Sequence, residues 1–430
     1  MPNFVSLPGF RDFYPGDLAV RKHIMTVWRE VACRYGFEEY DGPPLEPTEL
    51  YVEKSGPEIV QQLYNFADKG DRDVSLRPEM TPTLARMVGA RASAMRKPIK
   101  WFSMPQLFRY ERAQRGRLRE HFQLNLDIVG EAGVGADIEL IAAAIDVLRA
   151  FGLTSTDFVV RISDRRLLRA LLLHAQVPED RLIRVYNIVD KLERESRESV
   201  AERLGEEVGL GEAATDEVLA IFGHRDFEAV RNAYGGTHGI GEEIARMREL
   251  FEGLEAFGLA DYVRFDLGIV RGLAYYTGVV FEIFDIQGEL RAICGGGRYD
   301  DLLGLVSGSD LPALGLGMGD VVLRELLAGR GLLPATDRLL DYYVVAVTPD
   351  ERPDVLRLVH CLREAGHSVD YALRHQGVGK QLKSASALNA TRAIIIGPDE
   401  VADGVVVVRT MTSGEEERVP MDGVAVTEVG

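Results

Sequence analysis

The chain has 430 residues, 46% of them hydrophobic and 27% charged, and carries a formal net charge of −17. That length exceeds one ordinary core and predicts about two to three domains. The acidic balance excludes a protein that coats nucleic acid nonspecifically, but leaves room for contact through a local basic patch.

The three cysteines, Cys33, Cys294 and Cys361, are far apart and odd in number. A disulfide framework is not expected, and a reducing cytoplasm is the natural compartment. The opening stretch MPNFVSLPGFRDFYPGD has no basic segment followed by an apolar one, and no apolar run nears the ~20 residues that span a bilayer. No membrane partner is therefore expected. The histidines show no ligand-like spacing with cysteine, so no metal site is expected either.

In chain order, PGDLAVRKHIMTVWREVACRYGF predicts an amphipathic helix capped by Asp17. Val20, Ile24, Val27, Trp28, Val31 and Tyr35 share one face of it. Prolines in DGPPLEP forbid helix before TELYVEKSG. KPIKWFSMPQLFRYE and QLNLDIVGE read as an antiparallel pair joined by a long loop, and ADIELIAAAIDVLRAFG as a helix. From about 165 to 255 the texture is leucine-rich and helical. Strands return in YVRFDLGIVRG, YTGVVFEIFD and RAICGGGRYDDLL, and a Gly-rich strand then enters a helix in GSDLPALGLGMGDVVLRELLA. Pro334 marks a linker. Beyond it, regular strand–helix–strand spacing predicts a small, mostly parallel α/β domain.

Four stretches could carry chemistry. FRYERAQRGRLREHF, residues 108–122, holds five arginines. A solvated hairpin tip would use them for solubility alone. Strand alternation, however, puts Arg109 and Glu111 on the face of Gln123, Asn125 and Asp127, which suggests a ligand-facing sheet surface. Arg112, Arg115, Arg117 and Arg119 crowd the loop, and guanidinium forks suit polyphosphate. In SLRPEMTPTLARMV, prolines hold a segment from which Glu79 and Thr81 project, with a simple cap by Thr81 as the plainer reading. In GIVRGLAYYTGVVFE, Arg271 lies in an apolar strand context and must meet a carboxylate or an anionic ligand. Tyr275 and Tyr276 beside it can enclose a small polar aromatic group. In CGGGRYDDL the glycines permit close approach by a ligand or another strand.

The order RPEMT, FRYERAQRGRLREHFQ, IVRGLAYYTG, GGGRYD and then a Gly-rich strand-to-helix element resembles class II aminoacyl-tRNA synthetases, specifically the histidyl-tRNA synthetase family. RGLAYYTG looks like that family's histidine-specific peptide. YGFEEYDGPPLEPTEL resembles the first signature motif, with Pro43 at the dimer-forming turn, and the last domain resembles an anticodon-binding domain. The resemblance covers nearly the whole chain. It implies an α+β catalytic domain over 1–330, an antiparallel sheet flanked by helices with the helical insertion, followed by an anticodon-binding-like α/β domain over 338–430.

What the resemblance implies is a cytoplasmic homodimer whose partners are L-histidine, ATP and histidine tRNA. Histidine and ATP give histidyl-adenylate and pyrophosphate, and the histidyl group then moves to the 3′ end of the tRNA. ATP is a substrate and Mg2+ is expected with it, without a dedicated protein site. By similarity Arg109 and Arg271 grip the α-phosphate from two sides, where charge builds in the reaction. Glu111 and Arg117, with Arg109, match the ATP-binding positions. Glu79, Thr81 and Gln123 match the pocket for the amino and carboxylate groups of histidine, and Asp127, Tyr275 and Tyr276 the imidazole-reading end. Arg112 and Gln114 resemble residues that meet the extra 5′ guanosine of the tRNA, although Ala113 stands where many members have proline. Arg374, Lys380 and Lys383 are candidates for anticodon contacts, or else a solvated helix face.

One departure is visible. The family's third motif normally supplies an arginine in a Gly-x-Glu-Arg-Leu setting, to hold ATP near its outer phosphates and adenine, whereas GLGMGDVVL places Val321 and Val322 there. Asp320, Arg324 or Arg298 are candidates to take over that role. A different reading is a catalytically silent histidine-binding paralogue, such as a regulatory subunit of ATP phosphoribosyltransferase. A third is a tRNA-binding regulator without adenylate chemistry.

Overall fold

In the computed structural model, which describes residues 4–55, 57–112, 114, 116–189, 195–269, 275–288, 290–335 and 339–426, Pro15 opens helix α1 (Pro15–Arg34). A proline at the first helical position loses no hydrogen bond, and its fixed φ suits the helix. The cap therefore falls on Tyr14, before the proline, and Asp17 is not the expected cap. Asp17 sits in the first turn and pairs instead with Arg324 at 2.7 Å. The apolar stripe behaves as its 3.6-residue period dictates. Val20, Ile24, Val27, Trp28 and Val31 are buried, and the helix packs against Val134–Ala150.

The chain divides into two compact units, Met1–Pro334 and Ala335–Gly430. The first unit is built on a nine-stranded sheet. Its strands are β1 (Glu38–Glu39), β2 (Ile99–Ser103), β3 (Gln106–Phe108), β4 (Glu120–Val129), β5 (Phe158–Asp164), β6 (Val263–Phe265), β7 (Val279–Asp285), β8 (Cys294–Arg298) and β9 (Ala313–Gly319). Their order is β1-β2-β4-β9-β8-β7-β5-β6, with β3 also on β4. Pairing is antiparallel through the middle and parallel at both edges, β1 with β2 and β5 with β6. Helices α2 (Thr48–Ser55), α3 (Thr81–Gly89), α4 (Val134–Ala150) and α5 (Asp320–Gly329) accompany it. Leu140, Ile141, Ile145, Val147 and Leu148 of α4 are fully buried, each such side chain contributing about 1.5–3 kcal/mol.

The central strands β8 and β9 carry glycines where propensity disfavours them. Gly295 and Gly297 stand opposite Gly317 and Gly315. Their neighbours' side chains occupy the space a Cβ would need: a methyl on Gly317 would lie 2.8 Å from Gln123 Nε2, and one on Gly297 2.9 Å from the Tyr276 ring. The glycines thus lower one face of the sheet into a hollow.

Between β5 and β6 lies the helical segment, including Arg165–His174, Leu182–Val189, Glu212–Gly223 and Gly241–Ala256. Asp164 caps the first of these, accepting from the backbone N–H of Arg166 at 2.7 Å and of Leu167 at 2.9 Å. Leu167, Leu168, Leu171 and Leu172 are buried on its inner face.

Arg298 at the end of β8 is buried and fully engaged. Nη2 donates to Asp137 Oδ2 at 2.6 Å and Nε to Oδ1 at 3.2 Å. Nη1 donates to the Glu131 carbonyl at 2.9 Å and to Asp300 at 3.3 Å. Arg298 is therefore a structural cation tying β8 to α4, not the nucleotide ligand considered above. Arg298→Met should leave the Asp137 charge buried and unpaired and destabilise the unit by about 3–5 kcal/mol. Urea unfolding of the two proteins measures it, and a difference within about 1 kcal/mol would refute the assignment.

The second unit has strands β10 (Leu340–Ala346), β11 (Val369–Tyr371), β12 (Ala390–Ile396), β13 (Val405–Thr410) and β14 (Glu416–Pro420) in the order β11-β10-β12-β13-β14. Helices α6 (Arg352–Glu364) and α7 (Val378–Ala387) make the crossovers. Only β10–β11 and β10–β12 are parallel. The last two pairings are antiparallel, so the sheet is mixed rather than mostly parallel. The difference lies in short returns, through the six-residue helix Pro398–Asp403 after β12 and a turn after β13, which bring each following strand back beside its predecessor without a long crossover helix.

Candidate functional site

The polar stripe on β4 faces the hollow made by the glycines. Gln123, Asn125 and Asp127 alternate on one side of the strand, opposite Gly319, Gly317 and Gly315 of β9. Glu79 and Thr81 enter from the start of α3, Arg109 from the end of β3, and Tyr275 and Tyr276 from the residues before β7. Of the eight residues expected around histidine, all but Arg271 (Glu79, Thr81, Arg109, Gln123, Asp127, Tyr275 and Tyr276) line one cavity of about 270 Å3. Thr81 is the first residue of α3 and makes no capping bond.

Asp127 is the deepest carboxylate. The Tyr299 hydroxyl donates to its Oδ1. Burial pushes Asp127 up to about 7, against the opposing pull of that hydrogen bond and of the Lys54 charge. The Tyr275 and Tyr276 rings lie 4.3 Å apart between centroids. Glu79 is ion-paired with Lys54 of α2, whose Nζ also sits 4.3 Å over the Tyr275 ring. Lys54 and Tyr299 were not anticipated, nor was Glu282 on the cavity wall. Glu282 had a signal, as the one ionisable side chain inside the apolar run VVFEIF. Lys54 had none.

A second cavity of about 210 Å3 adjoins the first, with Arg109, Gln123, Gly295 and Gly317 common to both. Glu111 and Arg117 line it and form an ion pair at 2.5 Å. His121, also on this wall, is pushed down to about 3 by burial and by the nearby charges of Arg109, Arg11 and Arg117. The arginines thus add to burial in disfavouring a charged His121 on this wall. Val321 and Val322 form its apolar side. The residues considered as substitutes do not face it: Asp320 is buried against Arg11 at 2.8 Å and accepts from the Phe122 N–H at 2.9 Å, and Arg324 is held by Asp17.

At the loop tip, Arg112 and Gln114 are exposed, and Gln114 Oε1 accepts from Arg291 at 2.8 Å. Arg374, Lys380 and Lys383 are exposed on α7 and the loop before it. Arg271 lies in 270–274, outside the described residues. Among the described residues no group of three or more histidine, cysteine, aspartate or glutamate side chains could hold a metal ion, and no helix is long and apolar enough to cross a membrane.

The family model for histidyl-tRNA synthetase matches residues 9–319. The chain belongs to that family. A model for an anticodon-binding domain matches residues 341–427. Among histidyl-tRNA synthetase relatives, the histidine–tRNA ligase of Opitutus terrae is 48% identical over 429 residues, covering 99% of this chain and 98% of its own length. The chloroplastic/mitochondrial histidine–tRNA ligase of Arabidopsis thaliana is 41% identical over 413 residues, 96% of this chain and 84% of that one. In fold, the crystal structure of histidyl-tRNA synthetase from Nostoc sp. PCC 7120 superposes with a TM-score of 0.82 at 24% identity, over 99% of both chains.

Proposed function

We propose that the chain is a histidine–tRNA ligase, which joins L-histidine to ATP as histidyl-adenylate with release of pyrophosphate and then transfers the histidyl group to the 3′ end of histidine tRNA. The observation that carries this is the pair of adjoining cavities with Arg109 on their common wall. The smaller substrate occupies the first cavity, its amino group toward Glu79 and its imidazole toward Asp127 and the two tyrosines. ATP occupies the second, with Glu111 and Arg117. The histidine carboxylate and the α-phosphorus then meet beside Arg109, and Arg271 completes the charge there by resemblance. Mg2+ enters with ATP, held mainly by phosphate oxygens and water. Arg112 and Gln114 meet the acceptor end of the tRNA, and Arg374, Lys380 and Lys383 its anticodon. Pairing of two copies through the segment around Pro43 is part of the same reading, supported by the exposed Leu45 and Phe66 on the strands Leu45–Pro47 and Tyr64–Ala67, which flank Asp73–Leu76 in a three-stranded sheet. The silent-paralogue reading is not favoured, because residues 341–427 match an anticodon-binding domain and the arginine-rich loop is present.

Histidine-dependent exchange of labelled pyrophosphate into ATP, without tRNA, tests the proposal. Exchange is expected. Histidine binding in calorimetry with no exchange would replace the reading with a regulatory one.

Asp127 also sets an expected pH dependence. Its value of about 7 in the folded chain lies above its ordinary 3.8, so the fold favours the protonated acid. Stability contributed by this group is present below about 4 and is lost as pH rises through 7. Accepting an imidazole N–H needs the carboxylate, so the KM for histidine should fall about tenfold from pH 6 to 8. Asp127→Asn should flatten that part of the profile, which separates it from the titration of free histidine. An unchanged profile in the variant would remove Asp127 from imidazole recognition.

A further inference from the structure

We infer that Arg291, in the connection between β7 and β8, binds the polyphosphate of ATP in place of the arginine that the third motif lacks. The inference rests on the nucleotide assignment of the second cavity. Val321 and Val322 give that cavity an apolar wall, and a triphosphate held there needs cations from elsewhere.

Arg109 and Arg117 already serve the nucleotide in this reading, the exposed Arg112 is assigned to the tRNA, and other described arginines nearby are tied down. Arg117 is paired with Glu111, and Arg11 is held between Glu120 at 2.6 Å and Asp320 at 2.8 Å. Arg119 donates from Nε to the Glu111 carbonyl at 3.0 Å and lies over the Tyr110 ring at 4.7 Å. Arg324 and Arg298 are tied to Asp17 and Asp137. Arg291 differs. It is exposed, it donates to the neutral Gln114 at 2.8 Å, and among the described residues no carboxylate lies within ion-pairing distance of it.

Its position answers the gap. Ala292 and Ile293, next along the chain, line the second cavity, and Arg291 itself lines a neighbouring cavity that shares Ala292 with it. Gly116, with a φ of +71°, lies next to both side chains. A methyl placed on Gly116 would lie 3.5 Å from Val322 Cγ2 and 3.6 Å from Arg291 Cδ. The stem of Arg291 and the side chain of Val322 therefore both lie beside the same glycine. A guanidinium at the end of that stem reaches the space beside Val322 by rotating away from Gln114, exchanging one exposed neutral hydrogen bond for charged ones. Gly116 has no side chain to block the path.

The test is pyrophosphate exchange with the full chain. Arg291→Ala should raise the KM for ATP about ten- to a hundredfold, the scale of a lost charge-assisted hydrogen bond, with the KM for histidine unchanged. Arg291→Lys, which keeps a charge without the planar fork, should recover part of that change. An unchanged KM for ATP in Arg291→Ala would overturn the inference, and so would an equal rise in the KM for histidine, which would mean that Arg291 merely tethers the loop. Absence of exchange in the unmodified protein would instead sink the nucleotide assignment itself.

Discussion

Arg109→Ala should lower the rate of histidine-dependent pyrophosphate exchange by about two to three orders of magnitude, the loss typical of removing one preorganised donor from developing charge. Among the described residues, Arg109 is the one charged side chain common to the walls of both cavities; the others they share are Gln123, Gly295 and Gly317. Its Nε already donates to the Pro78 carbonyl at 3.0 Å, and its backbone N–H donates to the Arg119 carbonyl at 2.9 Å. The fork is therefore aimed before substrate arrives, and little reorganisation is needed in the transition state. Truncation removes that donor while leaving β3 and β4 paired, so circular dichroism and thermal unfolding should change little. Arg109→Lys keeps a charge without the planar fork and should recover only part of the rate. A rate for Arg109→Ala within tenfold of the unmodified protein would place the chemistry elsewhere.

How much of this was readable in the residues depends on the range over which each signal acts. Helix α1 declared itself because its apolar positions repeat every 3.6 residues, and β4 because Gln123, Asn125 and Asp127 alternate. Both are local patterns. The cap of α1 was misplaced because Asp17 looks like a cap until Pro15 is recognised as the first helical residue. Arg298 could be read as a cation among glycines, but its partner Asp137 is 161 residues away, and no local pattern reveals such a pair. Lys54 is harder still. TELYVEKS reads as an ordinary exposed helix, and only the placement of α2 beside α3 brings its Nζ to Glu79 and the Tyr275 face. The Gly-rich strands β8 and β9 run against strand propensity. Their function as a hollow depends on side chains supplied by β4 and by the tyrosines.

That hollow makes Gly315→Ala the sharpest test of which cavity takes histidine. Gly315 pairs with Gly297 on one side and with Asp127 on the other. An added methyl would collide with Asp127 Oδ1 and lie 2.7 Å from the Tyr299 hydroxyl. Gly315 is not among the glycines with positive φ, so the cost is steric rather than conformational. The new methyl must push Asp127 and Tyr299 apart or lift β9 from β4. Overpacking of this kind costs about 1–3 kcal/mol in a core, and here it falls on the carboxylate assigned to the imidazole. The KM for histidine should rise by up to about a hundredfold. The KM for ATP should change far less, because Gly315 does not line the second cavity. Gly304→Ala, where an added methyl meets nothing within 4 Å, serves as the control and should leave both constants unchanged. If Gly315→Ala raises the KM for ATP and spares that for histidine, the two substrates have been assigned to the wrong cavities, and Asp127 reads the nucleotide instead.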